Sequence, residues 1–243
     1  MARVSSPETV SAAAGPVSCR SCDLYEICRR CDRIAIEEER GLRRTGALRT
    51  VRAGARLYRA GTPAHSIFAV RQGMVKTVRV DPDGEERIVA ISLPGDVLGV
   101  EAFGEHLYAL DAVALQTTVC CELPLSVLSE RYARAHELAS AIITLLSRET
   151  VEQSTFTRGS ISERIIALIL DLSRRRERRG LDGRRFALGM TRQEIANLLD
   201  TRIETVSRTL QRMSRDGQFD LSGQWLELRA AALLQTDRGA LAD

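Results

Sequence analysis

In 243 residues the chain has three histidines, His65, His106 and His136, and a single lysine, Lys76. The histidines are far apart and none stands in an H-E-x-x-H arrangement, so a hydrolytic metal centre built on imidazoles has no ligand set. No glycine-rich phosphate loop and no nucleophile elbow is present, which removes the usual marks of a nucleotide-hydrolysing or acyl-transfer enzyme. The expectation is a protein that is not an enzyme. No apolar run approaches the roughly eighteen residues needed to cross a bilayer. Residues 1–17 lack the basic start and apolar core of a secretory signal. They read as a flexible tail, and the chain as a cytoplasmic protein with no membrane partner.

What is present is unevenly placed. Net charge is only +3, yet residues 158–215 hold fourteen Arg against seven Asp or Glu, a local excess of about +7. A basic region beside a neutral one suggests a nucleic-acid-binding part joined to something else. The near absence of lysine gives the arginines a second explanation, genome base composition, so charge alone does not decide the matter. The six cysteines are clustered: Cys19, Cys22, Cys28 and Cys31 lie close together, and Cys120 and Cys121 are adjacent about ninety residues later. Without an export signal, such spacing points to metal or redox chemistry rather than structural disulfides.

The texture divides the chain. Residues 18–33 are cysteine-rich with little apolar periodicity, and residues 34–47 could form a short surface helix. From about Leu48 to Leu125, short β-branched runs alternate with turn residues, and strands are expected over 66–71, 75–80, 87–93 and 109–123. Asp81-Pro-Asp-Gly84 supplies the positive-φ position of a hairpin. Many short strands suggest a β-barrel or jelly roll. Over 126–157 the apolar residues Leu138, Ile142 and Leu145 recur at helical spacing, as in a domain spine or a dimer seam. Ser160-Ile-Ser-Glu163 has capping-box spacing and opens a further helix that ends near Gly180.

A helix-turn-helix follows. Thr191-Arg-Gln-Glu194 opens one short helix with Ile195, Leu198 and Leu199 inward, and a break comes at Asp200. Thr201-Arg-Ile-Glu204 repeats the capping signature before an amphipathic helix with Ile203, Val206, Leu210 and Met213 apolar. Glu204, Ser207 and Arg208 then project together near the second helix's start. Arginine bonds guanine O6 and N7, glutamate accepts from a cytosine amino group, and serine is small enough to approach a base. Thr191 and Arg202, at the two helix starts, are further candidates for the same double-stranded DNA interface. Gly217 and the runs 219–221 and 225–228 read as the wing.

A β-roll, a connecting helix and a C-terminal helix-turn-helix, in this order, resemble the cyclic-AMP receptor protein superfamily. Within it, the chain is similar to the FNR branch, the fumarate and nitrate reduction regulators, from Cys19 to about Leu228. The resemblance rests on Cys19-Arg-Ser-Cys22, Leu93-Pro-Gly-Asp-Val-Leu-Gly99, Cys121-Glu-Leu-Pro124, Glu163-Arg164, Leu172-Ser-Arg-Arg175 and Ile203-Glu-Thr-Val-Ser-Arg208. It implies an α+β protein. An N-terminal cyclic-nucleotide-binding-like β-roll sensor (34–125) would precede a long dimerisation helix (126–158) and a winged helix-turn-helix domain (159–243).

The resemblance further implies an oxygen-responsive homodimeric regulator. A [4Fe-4S] cluster would be held by Cys19, Cys22, Cys28 and Cys121, thiolates being the usual ligands of such clusters. Glu204, Ser207 and Arg208 would read TTGAT-type half-sites in an inverted repeat, and the hairpin over 81–86 would touch RNA polymerase. The stretch 99–113 contains no arginine, so the pocket lacks the cation that holds a cyclic phosphate in the nucleotide-binding branch, and no cyclic nucleotide is expected. Cys31 and Cys120 depart from the pattern. The run Cys-x2-Cys-x5-Cys-x2-Cys leaves a structural zinc open, and thiol oxidation or haem sensing nitric oxide are further alternatives. Since strand side chains alternate, Cys120 and Cys121 should face opposite sides, and Cys121 is the expected ligand.

Overall fold

The computed structural model describes residues 16–25, 28, 47–101, 106–126 and 159–229. Cys31 lies outside the described residues, as do the helix expected over 34–47, apart from Ala47, and the helical stripe over 126–157, apart from Ser126. The architecture is α+β. Among the described residues, eight strands come first: β1 (Ala47–Val51), β2 (Arg56–Tyr58), β3 (Ser66–Gln72), β4 (Val75–Val80), β5 (Glu86–Ser92), β6 (Val97–Leu98), β7 (Asp111–Ala114) and β8 (Thr118–Pro124). They form two antiparallel sheets, ordered β1-β8-β3-β6 and β2-β7-β4-β5.

Period-two alternation sorts the strand side chains into layers. Phe68 and Val70 of β3, Val75 of β4, Ala112 and Ala114 of β7 and Cys120 of β8 fill the space between the sheets, with Tyr58 and Tyr108. On the outer face of the first sheet, Ile67, Ala69 and Leu123 join Val97, Val100 and Leu24. On the outer face of the second, Val78, Ile88, Ile91 and Val113 join the C-terminal domain's core.

The run expected as one strand over 109–123 is two. Residues 115–117 interrupt it, and β7 and β8 belong to different sheets. The buried Thr118 hydroxyl fixes this corner, donating to the Gln116 carbonyl (2.8 Å) and accepting from the Met74 N–H (3.2 Å). The β4–β5 hairpin turns through Gly84 at φ +85°, with the Asp81 N–H donating to the Glu85 carbonyl (2.9 Å).

The C-terminal part begins with α1 (Ile161–Arg178), opened by the reciprocal cap of Ser160 and Glu163. Such a cap contributes about 1 kcal/mol. Helix α1 buries Ile165, Leu168, Ile169 and Leu172 against α2 (Arg192–Leu198), α3 (Ile203–Arg215) and a small sheet. That sheet is ordered β10-β11-β9, from β10 (Phe219–Ser222), β11 (Trp225–Leu228) and β9 (Arg185–Ala187). The two wing strands were legible in the sequence, whereas β9, three residues around the buried Phe186, carried too short a pattern to be read.

Candidate nucleic-acid interface and cysteine site

Helices α2 and α3 meet as a helix-turn-helix. Thr191 caps α2: its hydroxyl accepts the Glu194 N–H (3.2 Å), and Glu194 Oε2 accepts the Thr191 N–H (2.9 Å). Inside, Ile195, Ala196 and Leu199 are buried, while Leu198 is only partly covered. The break falls at Asp200, which adopts a left-handed φ of +45°.

The second capping box does not form. Arg202 is the N-cap of α3 and makes no side-chain cap. Thr201 is consumed by the preceding turn, its N–H donating to the Ala196 carbonyl (2.9 Å) and closing the end of α2. Ile203 consequently stays 36% exposed at the start of α3. Val206, Leu210 and Met213 form its buried stripe.

The opposite face of α3 carries Glu204 and Arg208, both exposed, with Ser207 partly exposed between them and the exposed Arg202 at the N-cap. Among the described residues, no side chain pairs with Arg202, Glu204 or Arg208. This exposed face therefore carries acceptors and donors held out on a helix whose other face is anchored. Thr191, by contrast, has its hydroxyl engaged with Glu194.

The cysteine segment lies on the outer face of the first sheet. Cys19–Ser21 form a 3-10 turn, and the chain is fastened by the Val17 N–H to the Arg71 carbonyl (3.0 Å) and by the Asp23 N–H to the Gly95 carbonyl (2.9 Å). Leu24, 1% exposed, plugs the apolar patch of Ile67, Ala69, Val97, Val100 and Leu123. Burying a leucine so completely contributes roughly 2 kcal/mol to the docking.

Cys22, Cys28 and Cys121 all pack on this patch. The Sγ of Cys19 lies 3.7 Å from an Arg71 nitrogen. Cys120, one residue from Cys121, is wholly buried between the sheets and faces away. Burial pushes the Cys22 thiol up to about 12, with the Asp23 charge and Cys121 adding to it against a hydrogen bond from the Leu24 backbone and the Arg179 charge. Burial likewise raises Cys120 to about 12. Among the described residues, no three Cys, His, Asp or Glu side chains converge as a metal-binding group. The structure thus gathers three of the four expected ligands over one floor without drawing their sulfurs together.

A double-sheet roll joined to a winged helix-turn-helix defines a DNA-binding regulator with a sensor domain. Residues 48–135 match the cyclic nucleotide-binding domain and residues 163–236 the Crp-like helix-turn-helix domain. The chain is 32% identical to the transcriptional activator protein anr of Pseudomonas aeruginosa over 223 residues, covering 89% of this chain and 91% of that one. It is 34% identical to an anaerobic regulatory protein of Pasteurella multocida over 176 residues, 71% of this chain and 64% of the relative's length. The solved structure of FixK2 from Bradyrhizobium japonicum superposes with a TM-score of 0.69 at 26% identity, covering 79% of this chain and 96% of that one. The chain belongs to the Crp/FNR family of transcription regulators. It is a regulator rather than an enzyme, as its relatives are.

Proposed function

We propose that the chain is an oxygen-responsive, anaerobic transcription regulator acting in the cytoplasm as a homodimer, with a [4Fe-4S] cluster held by Cys19, Cys22, Cys28 and Cys121. The observation that carries this reading is that Cys22, Cys28 and Cys121 all pack on the one floor plugged by Leu24. Ligands from a short docked segment and from a sheet strand are what a segment-to-barrel bridge needs. Relatives named for anaerobic regulation and for fumarate and nitrate reduction support the same signal.

The chemistry of the donor set fits the group. The donors are thiols, the usual cluster ligands, the floor beneath them is apolar, and Arg71 and Arg179 supply positive charge near Cys19 and Cys22. When bound, the cluster supplies an oxygen-labile link between segment and roll. The chain's own part is to dock the segment through Leu24, the Asp23 backbone and Val17, and to release it when that link is lost. Residues 34–125 then sense, 126–158 form the dimer seam that responds, and 159–243 read DNA. Glu204, Ser207 and Arg208 contact base edges of a TTGAT-type inverted repeat, while Arg202 and Thr191 sit towards the phosphates. The exposed tip of the 81–86 hairpin is the surface offered to RNA polymerase.

No cyclic nucleotide binds. Tyr58 and Tyr108 stack at 3.9 Å between centroids, Phe68 lies beside Tyr58, and these rings fill the roll's interior. The absence of arginine over 99–113 points the same way.

Anaerobic reconstitution followed by iron and sulfide assay tests the reading. About four irons and four sulfides per chain, with a broad visible band that bleaches in air, are expected of a cluster of this type. A colourless protein with one zinc per chain, unchanged by air, would leave the regulator standing and remove its proposed signal. Nitric oxide-binding haem or simple thiol oxidation would instead leave sensing intact when Cys19 or Cys22 is substituted.

A further inference from the structure

The loop 94–96 is a three-way junction between the cysteine segment, the roll and the DNA-binding domain. From the segment, the Asp23 N–H donates to the Gly95 carbonyl (2.9 Å). From the roll, the Gly95 N–H donates to the Val70 carbonyl of β3 (2.7 Å), and Asp96 Oδ2 accepts the Leu93 N–H (2.7 Å). From the DNA-binding side, Arg175 of α1 donates to Asp96 and to the Ile91 carbonyl.

Arg179, at the C-cap of α1, ties all three together. Its Nη1 donates to the Ser21 carbonyl, and its Nη2 to Asp23 Oδ2 and Asp96 Oδ1 (3.3 Å). Ser21 and Asp23, two of its three acceptors, flank Cys22. Gly95 adopts a φ of +102°, and a Cβ there would strike the Arg179 side chain at 2.6–2.9 Å, so the missing side chain leaves Arg179 its room. The three side chains are only 12–17% exposed, where charge-assisted hydrogen bonds act with little screening. Helix α1 shares one buried core with α2 and α3.

We propose that Arg179 is the positioning residue through which the docked cysteine segment orients the DNA-binding domain. What makes the segment dock or leave rests on the cluster reading above; the coupling itself does not. With the segment docked, Ser21 and Asp23 hold the end of α1 against the roll. With the segment released, those two acceptors leave and Arg179 keeps only its bond to Asp96, so the end of α1 is held by fewer contacts. Such coupling is reciprocal, so DNA bound at α3 must also favour the docked segment.

The test is the alkylation rate of Cys22 by iodoacetamide in metal-free protein, mapped by peptide mass, with and without a duplex carrying a TTGAT inverted repeat. Arg179→Met is expected to raise the rate about tenfold, within the usual range of site-to-site coupling, and to abolish the slowing that DNA causes in the wild-type chain. Arg179→Lys should recover part of both effects. Arg174→Met, an exposed change on the same helix, should alter neither. Asp23→Asn approaches the same contact from the segment, leaves the DNA-binding domain intact and should share the Arg179→Met signature. Alkylation of both variants at the wild-type rate, or an undiminished DNA effect in them, would overturn the proposal. Iron and sulfide content, measured separately, reports on the cluster reading, so a chain that binds no iron would sink that reading while the alkylation result still decides this one.

Discussion

Lys76 Nζ stands 3.0 Å from Glu194 Oε1, joining β4 of the roll to the capping box of α2. Glu194 divides its work: Oε2 accepts from Thr191, while Oε1 reaches across to the roll. Beside it, Asn197 donates to the Glu86 carbonyl and accepts the Ile88 N–H, both at 2.6 Å. The first helix of the DNA-reading pair is thus hydrogen-bonded to the outer edge of the sensor sheet, so a change in one domain has a direct mechanical route to the other.

Lys76→Met should lower stability by about 1 kcal/mol, the scale of a partly exposed ion pair. Burial alone would raise the Glu194 carboxyl, but hydrogen bonds from Thr191 and Lys76 outweigh it and hold the group below its ordinary 4.5. A depressed folded-state value contributes stability that is complete above the unfolded value and is lost as pH falls through the folded one. The gap in thermal midpoint between the wild-type chain and Glu194→Gln should therefore be full at pH 6 and shrink below about pH 4.5. A gap that widens on acidification would contradict this assignment.

On the recognition helix, Arg208→Ala and Glu204→Ala should each cost about 1–3 kcal/mol of binding and relax sequence preference at one base position. Arg202→Ala should instead weaken binding to all sequences alike and reduce the salt slope by about one unit. Fluorescence anisotropy with matched and single-mismatch duplexes at several salt concentrations separates the two behaviours. A uniform loss for Arg208→Ala would remove it from base reading.

The adjacent cysteines make a paired control. Cys121→Ser should lose reconstituted iron, while Cys120→Ser should keep it. Cys120 is buried between the sheets, and a hydroxyl without a partner there costs roughly 1–3 kcal/mol, so that variant should melt earlier. Iron assay and thermal denaturation read both effects, and iron loss from Cys120→Ser with retention in Cys121→Ser would reverse the ligand assignment.

Much of this was legible in the sequence because it depends on local pattern. The alternation that separates Cys120 from Cys121 is a property of any strand, and the cap of Thr191 with Glu194 follows from side-chain reach alone. The same signature at Thr201 misled, because the N–H of Thr201 was already claimed by the turn that ends α2. The strand expected over 109–123 split because the Thr118 hydroxyl bonds a distant backbone at Met74, a contact that no window around 115–117 contains. The Arg179 and Lys76 contacts span 156 and 118 positions, and an arginine in a basic run carries no mark of its partner.

Cyclic AMP added to millimolar levels should leave the melting temperature unchanged, because Tyr58, Phe68 and Tyr108 occupy the roll's interior. Tyr108→Ala removes a ring stacked on Tyr58 and a hydroxyl that donates to the Ser66 carbonyl (2.7 Å), and should cost about 3–5 kcal/mol by analogy with other large aromatic truncations. Calorimetry measures both, and stabilisation of the wild-type chain by the nucleotide would contradict the filled interior.

In the proposed function, oxygen reaches DNA binding through the cysteine segment. The most direct measurement is the affinity of one anaerobically reconstituted sample for a TTGAT inverted repeat, before and after admission of air, with Cys121→Ser in parallel. Tight binding without air is expected, with a loss of at least about tenfold on exposure, in the range of coupling between sites, and the Cys121→Ser protein should bind weakly in both conditions. Equal affinity before and after air, or an air response that survives in Cys121→Ser, would contradict it.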